Sequence, residues 1–287
     1  MRKISKGIVC SALSLGCVLI SFVPEKLFAT IQVIPFAFVK KYLGECGFIA
    51  KNIDAINILL VKLIVLFVST IIFISIAKCY LLYRKKIIIR GEKYEIVVEY
   101  GDILTEKNSK KVIGFDECFT TNVSDRVPDI KHSSICGKYL RMNPDLNIQS
   151  LLTKHNIIPA KRKSEYNKQI CYEPGTLVPN GDFLLMAFAR LNKDGLAFFD
   201  SHEDYLDCLS HLWKEIDKYY CQQDVSIPIL GSGLTRIGRT PGDSPSKQDL
   251  LNWIILSYKI SPYKLKRPYK LHIVCNKSKN FSINAIE

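Results

Sequence analysis

Histidine and tryptophan are scarce in this chain, five and two residues among 287, and no two of its ten cysteines stand in a C-x-x-C spacing. Cysteines scattered from Cys10 to Cys275 without paired spacing do not form the disulfide framework of a small secreted domain, and they fit reduced thiols in cytosol. His202 and His211 lie nine positions apart, which at about 100° per residue puts them on opposite faces of one helix. No zinc site is expected. Acidic residues are nearly missing from the first 86 positions, where 12 Lys or Arg meet 3 acids and give +9. The remainder holds 28 against 24, so only +4 of the net +13 belongs to it. The clusters Lys161-Arg162-Lys163 and Lys264 to Lys270 come with no nucleic-acid-binding module, and no nucleic-acid partner is expected.

Two apolar stretches are present, Gly7 to Val23 and Asn57 to Tyr80. They divide the chain into a membrane hairpin over 1–86 and one folded domain over 87–287, long enough for a single core. Leu63 to Ala77 carries no charge, and Lys62 and Lys78 flank it as snorkelling anchors of a span. The first stretch is short and follows Arg2, Lys3 and Lys6, so it reads as a span or as the apolar region of a secretory signal. Bulky Leu27, two before Ala29, does not suit a cleavage site there. Basic flanks at Arg2 to Lys6 and Lys78 to Arg90 place both termini in the cytoplasm by the positive-inside rule. Between the spans, Ile31 to Val39 is apolar around Pro35, too short to cross and suited to the interface. Gly7, Ser11, Ser14 and Gly16 offer small residues for helix contact.

Beyond Arg84, short apolar runs at Tyr94 to Tyr100, Val112 to Phe115, Phe183 to Ala189, Val225 to Leu230 and Leu271 to Cys275 read as strands, several of them buried on both faces. Ser201 to Asp204 and Ser246 to Asp249 are capping boxes. The first opens a helix with Leu206, Leu209, Trp213, Ile216 and Tyr220 inward, the second one with Leu250, Leu251, Ile254, Ile255 and Tyr258 inward. Strand and helix alternate from 183 to 275, which implies βαβ units and a largely parallel, helix-covered sheet. Thr120 to Gly181 is less regular and is expected as helices and loops over one end.

Ligands of open α/β sheets bind outside the carboxyl ends of the strands. Two segments leaving such ends stand out. Gly231-Ser232-Gly233-Leu234 follows Ile227 to Leu230, and its glycines let backbone N–H groups close around phosphate oxygens. Asp102, in Gly101-Asp102-Ile103, accepts hydrogen bonds only and suits an amino group such as that of adenine; a turn or cap aspartate is the plainer alternative.

Together, the V-x-x-G-D-I pattern of Val98 to Ile103 and the I-P-I-L-G-S-G-L run of Ile227 to Leu234 resemble the adenine-contacting and diphosphate-cradling elements of macro domains. A divergent macro domain behind two spans is similar to the membrane effector of bacterial Thoeris anti-phage systems. The resemblance covers about 87–287 and implies a three-layer α/β/α domain with a mixed sheet. It also implies an ADP-ribose-derived ligand, histidine–ADP-ribose made by a TIR-domain partner enzyme, and no cofactor. The effector would sit in the bacterial inner membrane and self-associate to disrupt the lipid bilayer. On this resemblance Asp102 reads adenine with the Ile103 amide nearby, and Gly231, Ser232, Gly233 and Leu234 form the diphosphate loop.

One departure is large. Hydrolytic macro domains carry an Asn- and Gly-rich loop after the next strand, where this chain has Val112 to Thr121 with Asp116, Glu117 and Cys118. That favours a binding protein over a hydrolase. Asp116 and Glu117 remain candidates for a general base or for meeting a cationic or imidazole group on the ligand. Cys118, with no nearby histidine, is expected to be inert.

Overall fold

The computed structural model describes residues 2–31, 33–35, 52–124, 126, 129–238 and 244–286. Most of the apolar stretch Ile31 to Val39 lies outside them. The chain divides into two compact units, Met1–Arg84 and Lys85–Glu287.

In the first unit, α1 (Arg2–Phe22) stops before Pro24, whose ring fixes φ and removes a donor, and the short α2 (Glu25–Ala29) follows. The third helix, α3 (Ile53–Tyr83), has 31 residues and so extends about 46 Å. Among the described residues it is the one helix long and apolar enough to cross a membrane, while the apolar part of α1, Gly7–Phe22, is shorter. Gly16 lets α1 approach α3: a Cβ there would lie 2.7 Å from Leu66 Cδ1.

Two polar side chains of α3 hold the intervening segment. The buried Asn57 amide accepts from Ile34 N–H at 2.7 Å and donates to Ile34 C=O at 3.0 Å, as a paired strand would. Lys62 binds Glu25 at 2.7 Å and lies over the Phe28 ring; it is an ion-pair partner here, where the sequence suggests only a snorkelling anchor. Replacing Asn57 strands two backbone groups at about 1–3 kcal/mol each. Asn57→Leu is therefore expected to accelerate amide hydrogen exchange at Ile34 at least tenfold, with α3 itself unchanged.

The second unit is built on a mixed sheet. Its strands are β1 (Lys86–Arg90), β2 (Glu95–Tyr100), β3 (Ser109–Asp116), β4 (Leu177–Asn180), β5 (Phe183–Leu191), β6 (Ala197–Phe199), β7 (Asp224–Pro228), β8 (Arg236–Ile237) and β9 (Leu271–Cys275). The order is β1-β2-β9-β7-β3-β5-β6-β8, with β4 also pairing β5. β2, β9, β7, β3 and β5 are mutually parallel; β1, β4 and β6 pair antiparallel with their neighbours. β1, β4, β6 and β8 are absent from the sequence expectations: β4, β6 and β8 have four residues or fewer, and the Ile87 to Ile89 run of β1 directly follows the membrane stretch and its basic flank.

The central strands alternate between two cores. Val112, Leu184, Met186 and Phe188 face α6 (His202–Tyr219) and α7 (Lys247–Ile260), whose Leu209, Trp213, Leu251 and Ile254 complete that layer. Ile113, Phe115, Leu185 and Ala187 face α4 (Ile135–Met142) and α5 (Ile148–Lys154), packing with Tyr139, Leu140, Ile148 and Leu152. Three layers result. Both expected N-caps form, Ser201 accepting from Asp204 N–H and Ser246 closing a reciprocal box with Asp249.

Leu209 is fully buried, so Leu209→Ala is expected to cost about 2–5 kcal/mol and Ser246→Ala about 1 kcal/mol. Both tryptophans, Trp213 and Trp253, lie in this unit; urea unfolding followed by their fluorescence checks the ranking.

Candidate functional site

Because β2, β9, β7, β3 and β5 run parallel, their carboxyl ends lie along one edge of the sheet, and the loops leaving them assemble there. Gly101 and Asp102 leave β2. Asp102 is exposed and caps the one-turn helix Ile103–Thr105, its Oδ1 accepting from Leu104 N–H at 3.1 Å. Ile103 is buried, and its turn packs against β7.

The loop after β7 lies two strands along the same edge. Gly231 adopts φ +81°, and a side chain there would meet Ile237 and Tyr205. The loop's base is fixed, since Tyr205 O–H donates to Leu230 C=O at 3.0 Å and Ser232 N–H to Ile229 C=O at 3.2 Å. Its far side is tied by β8 pairing with β6. Ser232, Gly233 and Leu234 are exposed, and nothing lies within 4 Å of where a Gly233 Cβ would stand. The arrangement is a rigid base under an open tip, with short residues that leave backbone groups accessible.

Asp116 and Glu117 leave β3 on the same edge, but their oxygens turn into the protein. Asp116 accepts from Cys118 N–H at 2.8 Å, from Thr120 N–H at 3.2 Å and from the Thr120 hydroxyl. Burial raises its pKa above the usual carboxylate value, with these hydrogen bonds opposing the rise. Glu117 is 1% exposed, pairs with Arg162 and accepts from Leu191 N–H at 3.1 Å. Both carboxylates thus organise the loop itself. Phe119, at φ +53°, is buried against Phe115 and Tyr172, so the segment that is Asn- and Gly-rich in hydrolytic macro domains is here closed by an aromatic plug. Burial, then the neighbouring Asp116, pushes the Cys118 thiol up to about 12, which keeps it protonated and unreactive.

Sequence reasoning passed over Lys247. It opens α7 at the same edge, donates to Asn276 C=O at 2.5 Å just past β9 and lies over the Phe281 ring. Burial lowers its pKa. β9 sits between β2 and β7, so this ammonium stands between the two recognised loops. The signal was available, because the Ser246 capping box fixes where α7 begins. Phe281 also packs edge-on against Tyr100, beside Asp102, and no periodicity announces that contact.

The cavity of about 590 Å³ bounded by His155 to Arg162, Glu173, Thr176 and the α6 residues His211 to Tyr219 is elsewhere. It flanks β4, five strand spacings or about 24 Å from β2. His202 and His211 are engaged separately, the first against the Trp253 ring and the second with Pro174 C=O at 2.9 Å. Among the described residues no group of three or more His, Cys, Asp or Glu is placed to hold a metal ion.

A three-layer α/β/α domain with glycine-bearing and acidic loops on one carboxyl edge defines the class, and sequence comparison gives the family. Residues 96–276 match the family described as "Thoeris protein ThsA, Macro domain", and the chain belongs to it. The Thoeris protein ThsA of Bacillus amyloliquefaciens (strain Y2) is 28% identical over 242 residues, covering 81% of this chain and 79% of that protein. That coverage exceeds what the second unit alone supplies, so the similarity extends into the residues before Lys85. Among solved structures, an Oceanobacillus iheyensis macrodomain with ADP aligns at a TM-score of 0.39 and 9% identity, covering 67% of this chain and 89% of that one. A mutant of that macrodomain gives 0.40 and 11%, covering 68% and 91%.

Glu106 follows the Asp102 turn, and burial and then the Glu99 carboxylate raise its pKa above 4.5. A carboxyl whose pKa is raised by folding binds its proton more tightly folded than unfolded, so it favours the fold at low pH. That contribution is lost as pH rises through the window above 4.5. Glu106→Gln is expected to flatten this decline and to stabilise the protein at pH 7, as read from denaturation midpoints across pH 4 to 8.

Proposed function

We propose that this protein is a membrane-anchored effector of Thoeris anti-phage defence whose macro domain binds an ADP-ribose-derived signal. The observation that supports it is the pairing, on one sheet edge, of exposed Asp102 with the open loop Gly231 to Leu234. Asp102 Oδ2 accepts from the adenine amino group, the Ile103 backbone lies beside the ring, and the loop's N–H groups surround the diphosphate, with Lys247 close enough to add positive charge. Family membership supports the ligand class, and histidine–ADP-ribose from a TIR-domain enzyme is the specific signal we infer. The chain acts by binding and does not turn the ligand over, since the carboxylates of the β3 loop are spent on internal hydrogen bonds.

The α3 helix anchors the chain and α1 pairs with it as a second, shorter span, with both ends in the cytoplasm of the bacterial cell. Ligand binding favours a self-associated state that breaches the membrane. Moving such a switch from about 1:99 to 99:1 requires roughly 5.5 kcal/mol of preferential binding to the active state.

Calorimetric titration of the detergent-solubilised chain with ADP-ribose, NAD and histidine–ADP-ribose tests the site. Asp102→Ala removes an acceptor worth about 1.5–3 kcal/mol, so affinity falls at least tenfold. Gly233→Val abolishes binding while leaving stability unchanged, because its Cβ meets only open space in the free protein. Wild-type affinity in both variants would overturn the assignment. Product release from any of the three ligands, lost in Asp116→Ala or Glu117→Ala, would make the protein a hydrolase instead.

A further inference from the structure

Positive charge gathers at two places in the second unit: at Lys264 to Lys270 most of it is engaged, Lys264 and Arg267 with backbone carbonyls and Lys270 with Glu95, whereas the excursion from Lys154 to Ile170 leaves most of it exposed. It holds Lys154, Lys161, Arg162, Lys163 and Lys168 against the single acid Glu165, a net +4, equal to that of the whole of residues 87–287. All four lysines are exposed, whereas Arg162 is drawn inward by Glu117. Apolar side chains stand among them in water: Ile158 is 84% exposed and Ile170 59%. The Lys163–Ile170 bridge and the hydrogen bond from Ala160 N–H to Cys171 C=O at 2.8 Å fold this stretch into one surface feature. The β4 cavity opens beside it, walled by Lys161, Arg162 and Lys218 and, at about 590 Å³, roomy enough for a lipid headgroup.

We propose that Lys154–Ile170 is a docking surface for an anionic phospholipid bilayer. Basic residues interleaved with protruding aliphatic ones match that surface: the charges meet phosphates while Ile158 and Ile170 enter the headgroup boundary. A small soluble anion would use the charges and leave the isoleucines in water. The inference rests on anchoring through α3, since only two residues separate Tyr83 from β1 at Lys86 and a two-residue link reaches at most about 10 Å. The tethered strand and the patch sit at opposite ends of the sheet, six strand spacings or about 29 Å apart, so docking adds a second point of attachment to the tether. Attachment at two separated points restricts the orientations the domain can take on the membrane.

The test uses the full chain in lipid nanodiscs, of phosphatidylcholine alone or with about one-third phosphatidylglycerol, and follows amide hydrogen exchange over 154–170. Exchange is expected to slow in the anionic discs, to recover in high salt, and to be insensitive to the lipid in Lys161→Glu/Lys163→Glu/Lys168→Glu. Each lysine near such a surface is worth about fivefold in the docking equilibrium. The three lysines are exposed, so ADP-ribose affinity serves as the folding control for the variant. Equal exchange in both lipids would overturn docking while leaving the anchor intact, because the chain is retained in both discs. Protection by soluble glycerol phosphate in phosphatidylcholine discs would overturn the bilayer as partner, and failure of the chain to enter phosphatidylcholine discs would overturn the anchor on which the inference rests.

Discussion

The burial of β3 and β5 on both faces is the constraint from which the rest of the second unit follows. A strand with apolar side chains on both sides cannot be left open to water, so helices must cover each face. Crossover connections supply them, and those connections make the neighbouring strands parallel. Parallel strands deliver their carboxyl ends to one edge. Asp102, Ile103, Lys247 and the Gly231 loop, far apart in sequence, meet there because the core of Val112, Ile113, Leu184 and Leu185 has no other way to be buried.

The same edge carries two loops built in opposite ways. Glu117 and Arg162 form an ion pair that would be costly to expose or to break singly, since removing either partner leaves a desolvated charge. Glu117 also accepts from Leu191 N–H, and its backbone joins Ala189 to Tyr172. The loop after β3 is thereby stapled to β5 and to the Cys171 segment, and Phe119 fills the space beneath. The Gly231 loop is built the other way, with its hydrogen bonds at the base and its tip left open. One loop is closed by its own hydrogen bonds and aromatic packing, and the other leaves its tip exposed.

The first unit obeys a different rule. Many of its apolar side chains are exposed, Phe67 68% and Ile76 63%, while Asn57, Lys62 and the hydroxyls of Ser69, Thr70 and Ser75 find partners within the unit. Asn57 supplies Ile34 with the two hydrogen bonds that water would otherwise make, and Lys62 is neutralised by Glu25. These contacts suit an apolar surrounding, where an unpartnered polar group is expensive.

The five parallel strands, the helices opened by Ser201 and Ser246, and the turns at Asp102 and Gly231 were legible in the sequence because each has a local cause: an apolar run, a cap, or a glycine. Periodicity and capping act within a few residues, so they leave a readable mark. A long uncharged run also gives way to mixed composition near residue 84. Tertiary structure decided what no local pattern encodes. It set the strand order, added the edge strands β1 and β4, placed Lys247 between two loops, and turned Asp116 and Glu117 inward. Those outcomes depend on which distant backbone groups and charges are left to pair once the core is buried, and partners such as Arg162 and Leu191, 45 and 74 residues from Glu117, are chosen by the fold alone.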